Sequence, residues 1–179
     1  ETIEYPNGVT ITLAYTTGKL TSVTNGMGRT ITLSYTGDLL TGVSDGNGRS
    51  VSYGFDVDGQ LDTITDLMGE DTTFTYAGLG EIESYFLPES PTSPMVTNDY
   101  DSLGRVDSQL DVNSEEQFFY FAGWRTEFKN ALGYSIVRIY DNRENTLQKI
   151  DELGFITSFE YDGLNRVVKK TMPEGDSVS

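Results

Sequence analysis

Tyr161-Asp162-Gly163-Leu164-Asn165-Arg166-Val167 repeats the pattern of Tyr100-Asp101-Ser102-Leu103-Gly104-Arg105-Val106. A short alternating run precedes each tyrosine, and a second short run ending in Asp or Asn follows each glycine or asparagine. This order reads as strand, turn, strand. With the aromatic as anchor, the unit recurs at Tyr15, Tyr35, Phe55, Tyr76, Tyr100, Phe121, Tyr140 and Tyr161, in steps of 20, 20, 21, 24, 21, 19 and 21 residues. A second marker keeps the same period. Asn25, Asp45, Asp66, Asn130 and Asp151 each stand three residues before a glycine: Gly28, Gly48, Gly69, Gly133 and Gly154. Two markers sharing a period of about twenty residues indicate a repeat architecture.

Within one unit the alternation is explicit. Ile11, Leu13 and Tyr15 alternate with Thr10, Thr12 and Ala14, which gives a strand one apolar face. Thr17-Gly18-Lys19 makes the turn. Leu20 and Val23 then follow at a spacing of three, so the return strand is expected to carry a bulge or change face. The second unit copies the first as Ile31, Leu33, Tyr35, Gly37, Leu40 and Val43, and the third as Val51, Tyr53, Phe55, Gly59, Leu61 and Ile64. Asn25-Gly26-Met27-Gly28 and Asp45-Gly46-Asn47-Gly48 connect successive hairpins, with Asn and Asp suited to bonding the turn backbone.

The Tyr-Asp pairs at 100–101, 140–141 and 161–162, the Gly104-Arg105 pair and the turn Asp45-Gly46-Asn47-Gly48-Arg49 resemble the YD repeats of Rhs proteins. The same repeats occur in wall-associated bacterial proteins, in the C component of insecticidal toxin complexes and in teneurins. The resemblance spans nearly the whole chain, although in the first four units Thr16, Thr36, Asp56 and Ala77 follow the aromatic. It implies a segment of a large secreted or cell-surface polypeptide whose repeats coil into a hollow shell. In that family the shell can enclose a C-terminal toxic domain. The family's self-cleaving aspartyl region, with its Asp-Pro and Asn-Asn-Pro elements, has no counterpart in these residues.

The expected fold is all-β: about eight antiparallel hairpins over 1–179, forming a long twisted, curled sheet, with no helix. In the fourth unit Pro88-Glu89-Ser90-Pro91-Thr92-Ser93-Pro94 stands where a tight turn is due. Three prolines cannot continue a ladder, so 88–94 is read as a loop insertion within the array. Phe118, Phe119, Tyr120 and Phe121 run without alternation, which predicts burial on both faces. Met172-Pro173-Glu174-Gly175 is expected to begin another connecting turn. The absence of an initiating Met suggests a piece of a longer chain.

Composition narrows the function. The chain carries 28 acidic and 12 basic residues, a net charge of −16. Residues 1–100 hold only Lys19, Arg29 and Arg49 against fourteen acids. This is the opposite of the basic stripe that nucleic acid requires. No apolar run reaches membrane-spanning length. Histidine and cysteine are absent, which removes Ser-His-Asp and Cys-His catalysis, disulfides and His- or Cys-based metal sites. No cofactor is expected.

Carboxylate chemistry remains. No Asp/Glu pair is marked out as a glycosidase pair, and Asp56-Val57-Asp58-Gly59 resembles the opening of a calcium loop but lacks the later ligands. A hairpin turn explains that tetrapeptide more simply. The repeat aromatics are expected to form a core ladder between hairpins rather than sugar platforms, Asp101 and Asp162 to accept turn N–H groups, and Arg105 and Arg166 to form ion pairs along the sheet. No catalytic residue is assigned. The expected partners are other repeats and domains of the same polypeptide, with an enclosed toxin domain or a surface glycan as further candidates. The alternative reading is an adhesive module binding carbohydrate or a partner through exposed aromatics such as Trp124.

Overall fold

The computed structural model describes residues 1–173 and the backbone of 177–178. The connecting turn expected at Met172-Pro173-Glu174-Gly175 lies partly outside the described residues, from position 174 onward. The chain packs as two compact units, Glu1–Met95 and Val96–Ser179.

The first unit is a meander of β1 (Thr2–Glu4), β2 (Thr10–Thr16), β3 (Lys19–Asn25), β4 (Thr30–Thr36), β5 (Leu39–Ser44), β6 (Ser50–Phe55), β7 (Leu61–Thr65), β8 (Asp71–Gly78) and β9 (Glu81–Phe86). Each strand pairs antiparallel with the next. The pairing places apolar side chains in rows across one face, Leu13 beside Val23 beside Ile31, then Leu33 beside Val43 beside Val51. Hydroxyls fill the other face: Ser22, Thr32, Ser44 and Ser50 lie in one row, and the Oγ1 atoms of Thr24 and Thr30 are 2.8 Å apart. Directly opposed side chains of this kind stabilise a sheet by about 0.2 to 1 kcal/mol per pair.

The second unit repeats the plan with β10 (Val96–Tyr100), β11 (Val106–Asp111), β12 (Glu116–Ala122), β13 (Arg125–Lys129), β14 (Ser135–Tyr140), β15 (Thr146–Ile150), β16 (Ile156–Tyr161), β17 (Val167–Thr171) and β18 (Ser177–Val178). All neighbours are again antiparallel. The class expected from sequence, all-β built from repetitive antiparallel hairpins, is the one observed, with no helix among the described residues.

Each unit is one sheet thick, so its apolar face is covered only by neighbouring side chains. Among the described residues Val137, at 8% exposure, is the single apolar side chain that counts as buried. Two expectations are corrected by this. The run Phe118–Phe121 is not buried on both faces: Tyr120 and Phe121 are exposed at 46% and 39%. Its aromatics pair within the sheet instead, Phe118 stacking on Tyr120 at 6.2 Å and Phe119 meeting Phe128 at 5.4 Å. The repeat aromatics do not form a closed core. Tyr15 is 51% exposed, and Tyr35, Phe55, Tyr76, Tyr100, Tyr140 and Tyr161 are half-buried. A second layer would be needed to bury them fully.

Candidate functional site

One loop, made ten times among the described residues, is the local motif. Its first residue is Asn25, Asp45, Asp56, Asp66, Asp101, Asp111, Asn130, Asp141, Asp151 or Asp162. The side-chain Oδ1 accepts the backbone N–H four residues on, and in all but the Asn130 loop also the N–H two residues on, at 2.7 to 3.3 Å. The same residue's own N–H donates to the carbonyl four residues on, which closes the loop. The fourth position must adopt positive φ. Glycine fills it at 28, 48, 59, 69, 104, 133 and 154, but Ser114, Glu144 and Asn165 fill it at φ 61, 65 and 61. The turn at Ser114 carries no glycine to mark it; Asp111, three residues earlier, is the signal that finds it, as Asp141 and Asp162 are for the other two.

The Tyr-Asp pair therefore has a geometric meaning. Where Asp follows the aromatic, at Asp56, Asp101, Asp141 and Asp162, the hairpin closes through this five-residue loop. Where Thr16, Thr36 or Ala122 follows it, the hairpin closes through a two-residue turn, with positive φ at Thr17 and Gly18, at Gly37 and at Gly123. Neighbouring hairpin ends are tied together. Lys19 bonds the Gly37 carbonyl and pairs with Asp38 at 2.7 Å, Gly80 N–H donates to Gln60 Oε1 at 2.5 Å, and Asn145 Nδ2 donates to Asn165 Oδ1 at 3.1 Å.

Three of the loops end in arginine paired with their own aspartate. Arg49, Arg105 and Arg166 donate through Nε to the Oδ2 atoms of Asp45, Asp101 and Asp162 at 2.7, 2.8 and 2.8 Å. Arg105 also lies over the Phe121 ring, 4.4 Å from its centroid. Arg105 and Arg166 form ion pairs, but inside their own loops rather than along the sheet. The Asn47 N–H and then the Arg49 guanidinium lower the Asp45 pKa to about 2. Asp101 is held below the usual range first by the Arg105 side chain, Asp162 by the Arg166 N–H and then its guanidinium, and Asp141 by the Asn145 amide.

The repeat tyrosine reaches backward by fifteen residues. Tyr35, Tyr76 and Tyr161 hydroxyls donate to the carbonyls of Leu20, Leu61 and Thr146 at 3.0, 2.7 and 3.0 Å. Each acceptor stands just before an extra residue in the return strand of the preceding hairpin, where the register slips opposite Tyr15, Phe55 and Tyr140. A bulge interrupts the ladder at that point, and the next hairpin's hydroxyl supplies a donor there. The Leu20–Val23 spacing foreshadowed the first bulge; the hydroxyl partner had no sequence signal.

Two of the concavities along the first unit gather charged side chains. One gathers Asp56, Asp58 and Asp62 beside Tyr76, whose pKa is raised by burial and by Asp56 and Asp62. Asp56 is committed to the N–H groups of Asp58 and Gln60 as a turn residue, and no cluster of three or more Asp or Glu arranged to hold a metal occurs among the described residues. The other, of about 600 Å³, lies between the Asn25–Arg29 and Asp45–Arg49 loops over Ile11, Val23 and Ile31.

No protein-family model matches the chain, and no curated protein matches it. Solved structures do. A mutant Tc holotoxin pore from Photorhabdus luminescens aligns over 96% of this chain at 13% identity with a TM-score of 0.60. The TcdB2-TccC3 complex aligns over 92% at 0.60, and TcdB2-TccC3 without its hypervariable C-terminal region over 96% at 0.61, both at 13% identity. What they share with this chain is the fold. This chain spans 12% of the length of each of those chains.

Proposed function

We propose that this chain is a non-catalytic segment of an Rhs/YD-repeat shell, part of a secreted or surface polypeptide in which the hairpin sheet encloses or displays a C-terminal toxin or effector domain. The observation that carries this reading is the fold likeness to Tc toxin chains over 96% of these residues, together with a loop and a tyrosine bond that tie hairpin to hairpin. A sheet one layer thick suits a wall: its strength lies in the ladder and its ties, and its half-covered apolar face is available to whatever it surrounds. The lack of a catalytic centre fits the composition, which contains no histidine or cysteine. It fits also the loop aspartates 45, 101, 141 and 162, whose pKa values are lowered, whereas a general acid needs one that is raised.

The test is deletion of this span from the full-length parent followed by limited proteolysis. The expected result is a downstream domain that keeps its chemistry but becomes protease-sensitive; unchanged protection rejects the shell role. Trp124, 56% exposed at the end of the β12–β13 hairpin, supports the second reading, an adhesive module. Binding on a glycan array that is lost in Trp124→Ala favours it.

A further inference from the structure

Arg29 departs from the rule that the other loop arginines follow. Arg49, Arg105 and Arg166 each face an aspartate four residues earlier, but Arg29 faces Asn25, whose Oδ1 takes the Arg29 and Met27 backbone N–H groups. An amide carries no charge for the guanidinium, and the Arg29 side chain has no partner among the described residues. It stands at the lip of the 600 Å³ cleft whose floor is Ile11, Val23 and Ile31.

We propose that this cleft binds a peptide segment carrying one carboxylate beside aliphatic side chains, with Arg29 receiving the carboxylate and the isoleucine–valine floor the apolar side chains. Charge complementarity selects the anion, since an uncommitted guanidinium is a strong bidentate partner for a carboxylate. The surroundings limit its charge. Three basic residues against fourteen acids over 1–100 repel polyanions such as oligophosphates. The lining selects a peptide over other carboxylates. It contains no aromatic ring on which a sugar acid would stack, and the side-chain amides of Asn25 and Asn47 suit backbone amides rather than an acyl chain. The site is independent of the shell reading and stands whether or not this sheet encloses a cargo.

The experiment is an NMR titration of the ¹⁵N-labelled 179-residue chain with a blocked hexapeptide of alternating leucine and valine containing one central glutamate. The expected result is amide shifts confined to the two loops and the β2, β3 and β4 residues on the cleft floor. Replacing the peptide's glutamate by glutamine, or using Arg29→Gln, is expected to weaken binding about tenfold or more, the loss typical of a charge-assisted bond. Asn25→Asp is the sharper variant: it recreates the Asp45–Arg49 pairing, leaves the loop fold intact, and is expected to weaken binding similarly by capturing Arg29. The proposal is overturned by absence of binding, by equal binding of the glutamine peptide, or by wild-type affinity in a folded Asn25→Asp protein. Tighter binding of sodium glucuronate or octanoate than of the peptide overturns the peptide assignment.

Discussion

The β16–β17 and β12–β13 hairpins occupy the same place in the repeat but close differently. In β16–β17, Tyr161 is followed by Asp162, the five-residue loop forms, and the register slips by one residue at Tyr161. In β12–β13, Phe121 is followed by Ala122, the turn is two residues long, and the ladder runs from Phe118–Lys129 to Ala122–Arg125 without a slip. The consequence appears one hairpin later. Tyr161 bonds the Thr146 carbonyl made available by the bulge in β15, whereas Tyr140, which follows the unbulged hairpin, finds the Thr126 hydroxyl at 3.2 Å. The tyrosine hydroxyl and the preceding bulge therefore work as one device, and aromatic area is only part of why tyrosine stands there.

The strongest way to break this comparison is truncation. Tyr76→Ala removes a half-buried ring and the bond to Leu61, and is expected to destabilise by about 3 kcal/mol, at the lower end for large aromatics because the ring is only partly covered. Urea denaturation measures it, and a loss below 1 kcal/mol would mean the aromatic position does little for the sheet.

Removing the hydroxyl alone sharpens the contrast. Tyr76→Phe and Tyr161→Phe each leave a part-buried carbonyl without its donor, costing about 1 to 2 kcal/mol, while Tyr140→Phe is expected to cost about 0.5 kcal/mol because a hydroxyl partner turns readily to water. Equal losses at all three positions would dissolve the link between bulge and hydroxyl. At the loops, Glu144→Gly and Asn165→Gly relieve a left-handed conformation that disfavours side chains by about 1 kcal/mol, so each is expected to raise the melting temperature. Asn165→Gly gains less, since it also gives up the bond from Asn145.

The smallest effect is in pH. Asp45 has its pKa lowered in the folded chain from the ordinary 3.8 to about 2, so its contribution to stability is present above about pH 4 and is lost as pH falls toward 2. Asp101 and Asp162 shift in the same direction. Asp45→Asn is expected to flatten the fall of melting temperature between pH 4 and 2 slightly, and Asn25→Asp to steepen it. Identical acid profiles would show that the paired loops and the Asn25 loop do not differ electrostatically.

Much of this molecule was legible because its local chemistry is short-range. Asn25, Asp45, Asp66, Asn130 and Asp151 could be read as turn residues, since the groups they bond lie within four positions. Asp111 and the glycine-free loops at Asp141 and Asp162 follow the same rule. Burial was not legible in the same way. Alternation in Ile11, Leu13 and Tyr15 shows which side chains share a face, but nothing in it shows whether a second layer covers that face, and among the described residues of each unit none does.

Sequence alone determined the period and the antiparallel hairpins, and narrowed the Leu20–Val23 spacing to a bulge or a change of face, because each follows from alternation, turn preference and spacing within one unit. Only tertiary structure decided that Tyr35, Tyr76 and Tyr161 reach the carbonyls of Leu20, Leu61 and Thr146, and that Arg29 stands without a side-chain partner among the described residues at the edge of the floor formed by Ile11, Val23 and Ile31. The physical reason is the same for both. A bond across fifteen residues, or a cleft between two loops, exists only after neighbouring hairpins are set side by side by the ladder, and the register of that ladder fixes which groups meet.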